Sequence, residues 1–120
     1  MPRFVILFHR TPPDAARPAH WDFMLQCGSH LRTWALATEP RADASIPAEA
    51  LPDHRPAYLS YEGEISGGRG CVTRWDSGTF RWICDAPDRV VVALRGQRLS
   101  GEARLALAPS GAWEFRFAAA

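Results

Sequence analysis

No stretch of this chain keeps a 3.6-residue apolar period for long, which rules out a helical core at the start. Short runs of β-branched and aromatic residues stand in its place, broken by Gly, Pro, Asp and Ser. Beyond residue 70 these runs come at close intervals, at residues 71–75, 79–84, 89–95, 102–108 and 113–117. Their separators are turn-like: Asp76-Ser77-Gly78, Asp85-Ala86-Pro87-Asp88, Arg95-Gly96 and Pro109-Ser110-Gly111. Upstream, residues 4–9, 20–26 and 31–36 read as three more strands, the last two joined as a hairpin through Gly28-Ser29. The pattern predicts a mostly β chain: a small antiparallel β-barrel with short helical turns and irregular loops. Closing the sheet also protects its edges.

Residues 38–56 are the least regular part, with Pro40, Pro47, Pro52 and Pro56. A short helical turn is expected over 47–51, because proline suits the first helical position. Residues 55–62 are expected to be extended, and Gly67-Gly68-Arg69-Gly70 to form a hairpin loop rather than a backbone cradle for phosphate, since no Walker or dinucleotide motif accompanies it.

At 120 residues the chain is expected to form one domain over 1–120, burying roughly two-thirds of its unfolded surface. Three cysteines with no C-x-x-C pair argue against a disulfide framework and fit a reducing cytoplasm. The apolar run at residues 4–8 is too short for a signal-peptide core or a membrane span. A cytoplasmic monomer without membrane contact is therefore expected. The net charge of +1 supplies no strong long-range pull on nucleic acid. All 14 basic residues are arginine, a side chain that grips phosphate bidentately and cannot act as a general base.

Within the second strand, Trp21, Phe23 and Leu25 alternate with His20, Asp22 and Met24. His20 and Asp22 thus share a face, about 7 Å apart along the strand. That pair either grips a divalent metal or forms the wet face of a half-buried strand. Val5, Leu7 and His9 share one face of the first strand. If the two strands are neighbours, His9 approaches His20 and Asp22, and the three leave coordination positions open for water or substrate. His54 sits between Pro52 and Pro56, either a functional histidine on a stiff loop or an ordinary one. Tyr58 reads as a hydrogen-bond donor to an anion or as packing. Trp75, Trp82 and Trp113 read as barrel wall, and His30 as a solvated turn residue.

In order along the chain stand His20-Trp21-Asp22-Phe23-Met24-Leu25, Leu31-Arg32-Thr33-Trp34-Ala35, Asp53-His54-Arg55-Pro56-Ala57-Tyr58 and Tyr61-Glu62-Gly63. They continue with Val72-Thr73-Arg74-Trp75-Asp76-Ser77-Gly78-Thr79-Phe80 and Leu94-Arg95-Gly96-Gln97-Arg98-Leu99-Ser100-Gly101. Together these segments resemble the 3′-phosphoesterase domain of bacterial DNA ligase D. The resemblance implies a small β-barrel carrying a manganese-dependent site in a crescent-shaped groove. It implies a DNA-repair hydrolase that removes a terminal 3′ ribonucleoside, then the 3′-phosphate, from DNA or primer–template ends. DNA repair ligase or polymerase proteins are the implied partners. The implied metal ligands are His9, His20 and Asp22, and the implied catalytic pair is His54 and Tyr58. Positions where the family places polar phosphate contacts hold Leu7, Met24, Thr38 and Ile46 here. Phosphate binding then falls to other arginines, for which Arg10, Arg32, Arg69 and Arg74 are the candidates. The alternative is a catalytically degenerate module that holds metal or a nucleic-acid end without turnover.

Overall fold

A computed structural model describes all 120 residues, Met1–Ala120. Nine strands follow in chain order: β1 (Arg3–Arg10), β2 (His20–Cys27), β3 (His30–Leu36), β4 (Ile46–His54), β5 (Gly63–Glu64), β6 (Cys71–Ala86), β7 (Arg89–Gly96), β8 (Ser100–Leu107) and β9 (Trp113–Ala119). They hydrogen-bond in the order β1-β2-β3-β4-β9-β8-β7-β6, and β6 pairs back onto β1 to close the ring. β5 adds to β6 outside that ring. Every pairing is antiparallel, so the mostly β, barrel-like expectation holds. No helix is long and apolar enough to cross a membrane.

Strand alternation divides the apolar residues into two cores. Sixteen buried residues fill the inside of the ring, among them Phe4, Ile6, Phe23, Leu25, Trp34, Phe80, Leu94, Phe115 and Phe117. A smaller core of seven lies on the opposite face of β1, β2, β3 and β6: Val5, Leu7, Met24, Leu31, Leu59, Ile65 and Val72. A cap built from the segment between β4 and β6 covers this outer face, contributing Leu59 and Ile65 with Tyr58 packed against them.

Three local expectations are corrected. Residues 47–51 belong to β4 and form no helical turn. Pro47 is tolerated near the start of β4, where its carbonyl still accepts from the Ala37 N–H, and Pro52 lies where the β3–β4 register shifts. The helical turn falls instead at Pro56–Leu59, a 3₁₀ turn opened by Pro56, in the stretch expected to be extended. Asp76-Ser77-Gly78 is no turn but the middle of the 16-residue β6, which pairs first with β1 and then with β7. Gly78 is required at that crossover, since a Cβ there would lie 2.0 Å from the Arg95 carbonyl oxygen. Asp76 does serve a turn, but a distant one. Its buried carboxylate accepts from the N–H groups of Gln97, Arg98 and Leu99 between β7 and β8, and from Ser77. His30 begins β3 and faces Asp53 at 3.4 Å.

Candidate active site

The antiparallel register of β1 and β2 sets His9 opposite His20 and Leu7 opposite Asp22. Residues that oppose one another, or lie two apart, share a face, so three potential ligands meet on the outer face of the ring. His9 Nδ1 lies 3.4 Å from Asp22 Oδ2, and His20 Nε2 lies 3.0 Å from Asp22 Oδ1. All three ligand atoms fall within 4.8 Å of one another. Asp22 and His20 are only 3% and 4% exposed.

Backbone carbonyls fix the imidazoles. A carbonyl can only accept, so His9 Nε2 donates to the Arg69 oxygen at 2.7 Å and His20 Nδ1 donates to the Pro18 oxygen at 2.9 Å. The neutral rings therefore turn their lone pairs, on His9 Nδ1 and His20 Nε2, toward the Asp22 carboxylate. Three electron-rich atoms converge, and only a cation between them relieves their repulsion. Asp22 Oδ1 is buried, lies off the hydrogen-bond direction from His20, and has no aligned partner of its own. Two imidazole nitrogens and one carboxylate with open positions suit a divalent transition metal.

Without such an ion, the proton is the available cation. The Asp22 hydrogen bond raises the His9 pKa above the ordinary histidine value, with help from the Arg69 carbonyl and against partial burial. Burial pushes the Asp22 carboxyl up, but its contacts with His20 and His9 outweigh that and hold it below the ordinary carboxylate range.

A cavity of about 540 Å³ opens over the cluster between the sheet and the cap. His9, His20, Asp22, His54, Tyr58 and Arg69 all line it. His54 repeats the His20 device: its Nδ1 donates to the carbonyl two residues back, on Pro52, at 2.8 Å. Its Nε2 makes no hydrogen bond within the protein. The Tyr58 ring meets His54 edge-on at 5.7 Å. Pro-x-His thus occurs twice, in Pro18-Ala19-His20 and Pro52-Asp53-His54.

The remaining arginine candidates lie elsewhere. Arg32 opposes Leu25, which faces the inner core, so parity puts it on the other side of the sheet from Asp22. There it stacks on Trp34 and Trp82 and bonds Asp85 at 2.6 Å. Arg10 follows His9 and has the opposite parity. Arg74 shares the right face but is engaged by Glu62 and the Ser60 carbonyl. Two arginines not singled out from the sequence line the cavity instead, Arg17 and Arg55. Arg17 bonds Glu49 at 2.7 Å and, through Thr11, ties the proline-rich loop across the site. Arg55 makes no ion pair. Their signal was adjacency, since one precedes Pro18 and the other follows His54.

Compared with known proteins, residues 13–107 match the family model described as the DNA Ligase D 3′-phosphoesterase domain. His20, Asp22, His54 and Tyr58 fall inside that span, and His9 just before it. The chain is 34% identical over 119 residues to the multifunctional non-homologous end joining DNA repair protein LigD of Mycobacterium tuberculosis (strain ATCC 25618 / H37Rv). That alignment covers 92% of this chain and 15% of the relative. The multifunctional non-homologous end joining protein LigD of Pseudomonas aeruginosa is 33% identical over 98 residues, covering 73% of this chain and 12% of that protein. The chain therefore spans a small part of the relatives it matches.

Proposed function

Because the chain belongs to the DNA Ligase D 3′-phosphoesterase domain family, we propose that it is a metal-dependent phosphoesterase that processes 3′ ends of DNA or primer–template junctions in DNA repair. The observation that carries this reading is the convergence of His9 Nδ1, His20 Nε2 and the Asp22 carboxylate, with Asp22 Oδ1 lacking an aligned partner. These three residues would hold one divalent ion, which we assign as manganese. Bound there, the ion supplies Lewis-acid stabilisation of charge building on a phosphoryl oxygen. His54 Nε2, its tautomer fixed by Pro52, holds or delivers a proton at the leaving oxygen. Tyr58 donates its hydroxyl hydrogen to a phosphate oxygen. Arg69 and Arg55 bring guanidinium charge to the same cavity and bind the 3′-phosphate, while Arg17 stays paired with Glu49 at its wall.

One residue favours a second reading. Where the family usually carries an arginine, Met24 lies 1% exposed in the small outer core and offers phosphate no charge. A module that holds DNA ends without turnover would follow if the loop arginines fail to compensate. A labelled primer–template bearing a 3′-phosphate or 3′ ribonucleoside separates the two. The enzyme releases product only with manganese and loses that release in His20→Ala. Equal background from wild type and His20→Ala, alongside salt-sensitive binding, defeats the catalytic reading.

A further inference from the structure

The register carries a polar row away from the metal cluster. Arg3 on β1 opposes Thr79 on β6, Thr79 opposes Arg95 on β7, and Arg95 opposes Ser100 on β8. Directly opposed residues share a face, so these four form one line across four strands. Arg81 stands two residues beyond Thr79 and joins the same face. That face points outward, since the intervening Phe4, Phe80 and Leu94 fill the inner core. Arg3, Arg81 and Arg95 are exposed, and none of their guanidinium groups has an ion pair or hydrogen-bond partner in the protein. The acidic neighbour on this face, Glu102, is already held by Arg104 at 2.7 Å. Arg81, Arg95 and Ser100 also line a depression of about 480 Å³. Arg3 and Arg95 straddle Thr79 at two strand spacings, roughly 10 Å. Like charges gathered on one sheet face oppose one another, and no acidic group, Ala120 at the edge of the depression included, stands within ion-pair distance of these three guanidinium groups.

We infer that Arg3, Arg81 and Arg95, with the hydroxyls of Thr79 and Ser100, form a second contact for the phosphate backbone of the nucleic acid whose 3′ end lies at the metal cluster. The identity of the polyanion rests on the function proposed above; the surface rests on the register and the unpaired charges. Arg3 and His9 occupy the same face of β1, six residues apart, so the near end of the row, Arg3, lies about 20 Å from His9. At about 3.4 Å of rise per nucleotide, it meets the backbone some six nucleotides from the end. Short ends therefore fill the cavity without touching the row.

The test is fluorescence anisotropy on the full chain, with manganese and with EDTA, using a duplex of about 16 base pairs and an oligonucleotide of about four nucleotides. The compared proteins are wild type, R3Q/R81Q/R95Q and R3K/R81K/R95K. Three duplex phosphate contacts are worth a roughly 40-fold extra loss of affinity between about 50 and 200 mM salt. Wild type and the lysine variant show that loss on the long duplex, the glutamine variant lacks it, and all three agree on the short one. An unchanged salt slope in the glutamine variant overturns the inference, as does an equal effect at both lengths. Product release with an unchanged slope keeps the catalysis and removes the surface. The predicted slopes without product keep the surface and remove the catalysis.

Discussion

Asp22→Asn tests the site most directly, because it changes charge and donor pattern with almost no change in shape. In the metal-free protein the asparagine keeps the shape of the carboxylate, 3.0 Å from His20 Nε2, and no buried carboxylate needs a counter-cation. The metal-free variant should melt modestly below wild type, because the folded state loses the ionic contact that holds Asp22 below the ordinary carboxylate range. With manganese the two should part further. A ligand at 100 times its dissociation constant stabilises a protein by about 2.7 kcal/mol. For 120 residues, an unfolding entropy of about 2.1 cal/mol/K per residue converts that into a rise of roughly 11 °C. Loss of the anionic ligand itself should weaken binding by at least the upper end of the roughly 10–100-fold range seen for supporting groups. At the same manganese concentration the variant then gains less than about 2 °C. The assay is a thermal melt of both proteins with manganese and with EDTA. An equal manganese-induced rise in both, or none in wild type, refutes the convergence argument.

Manganese affinity should climb with pH through the raised pKa of His9 and level off above it, because the ion must displace the proton shared with Asp22. Calorimetry in buffers of differing ionisation enthalpy should register that released proton, and a flat profile with no release contradicts it. His54→Gln and Tyr58→Phe should each leave the manganese-induced melting shift intact while slowing product release, His54→Gln by roughly 10²–10⁴-fold. A lost melting shift would place either residue in the metal cluster instead. Asp76→Ala should cost about 2–5 kcal/mol in urea unfolding, since the buried Leu99 N–H loses its only partner and three further N–H groups lose a charged acceptor. A change below about 1 kcal/mol would mean that water replaces the carboxylate at the turn.

What the sequence made legible was whatever depends on neighbours. The alternation through residues 20–25 and the short turn after Cys27 put His20 and Asp22 on one face and Phe23 in a core. His9 joined them through simple strand parity. The missed features depend on long-range partners. Pro47 and Pro52 look like strand breakers until long-range pairing places them near the start of β4 and at its register shift against β3. Asp76 carries a correct turn signal for the wrong turn, because its acceptors' partners lie 21 to 23 residues ahead. Gly78 reads as punctuation but marks the crossing of β6 against β7. The arginines were hardest to place. Parity separates Arg32 and Arg10 from the ligands, yet only the folded cap and the pinned loop bring Arg55 and Arg17 over them.

The ligand-bearing strands and the wall above them belong to structures of unequal strength. The floor, β1 and β2, is backed by the sixteen-residue core of the closed ring. The roof is seated on seven apolar residues, of which only Leu59 and Ile65 come from the cap itself. Local opening costs less than global unfolding where few buried contacts must break. The roof can therefore lift while His9, His20 and Asp22 stay in register. In hydrogen exchange, amides around residues 57–66 should trade first, and those of β1 and β2 only when the whole ring opens.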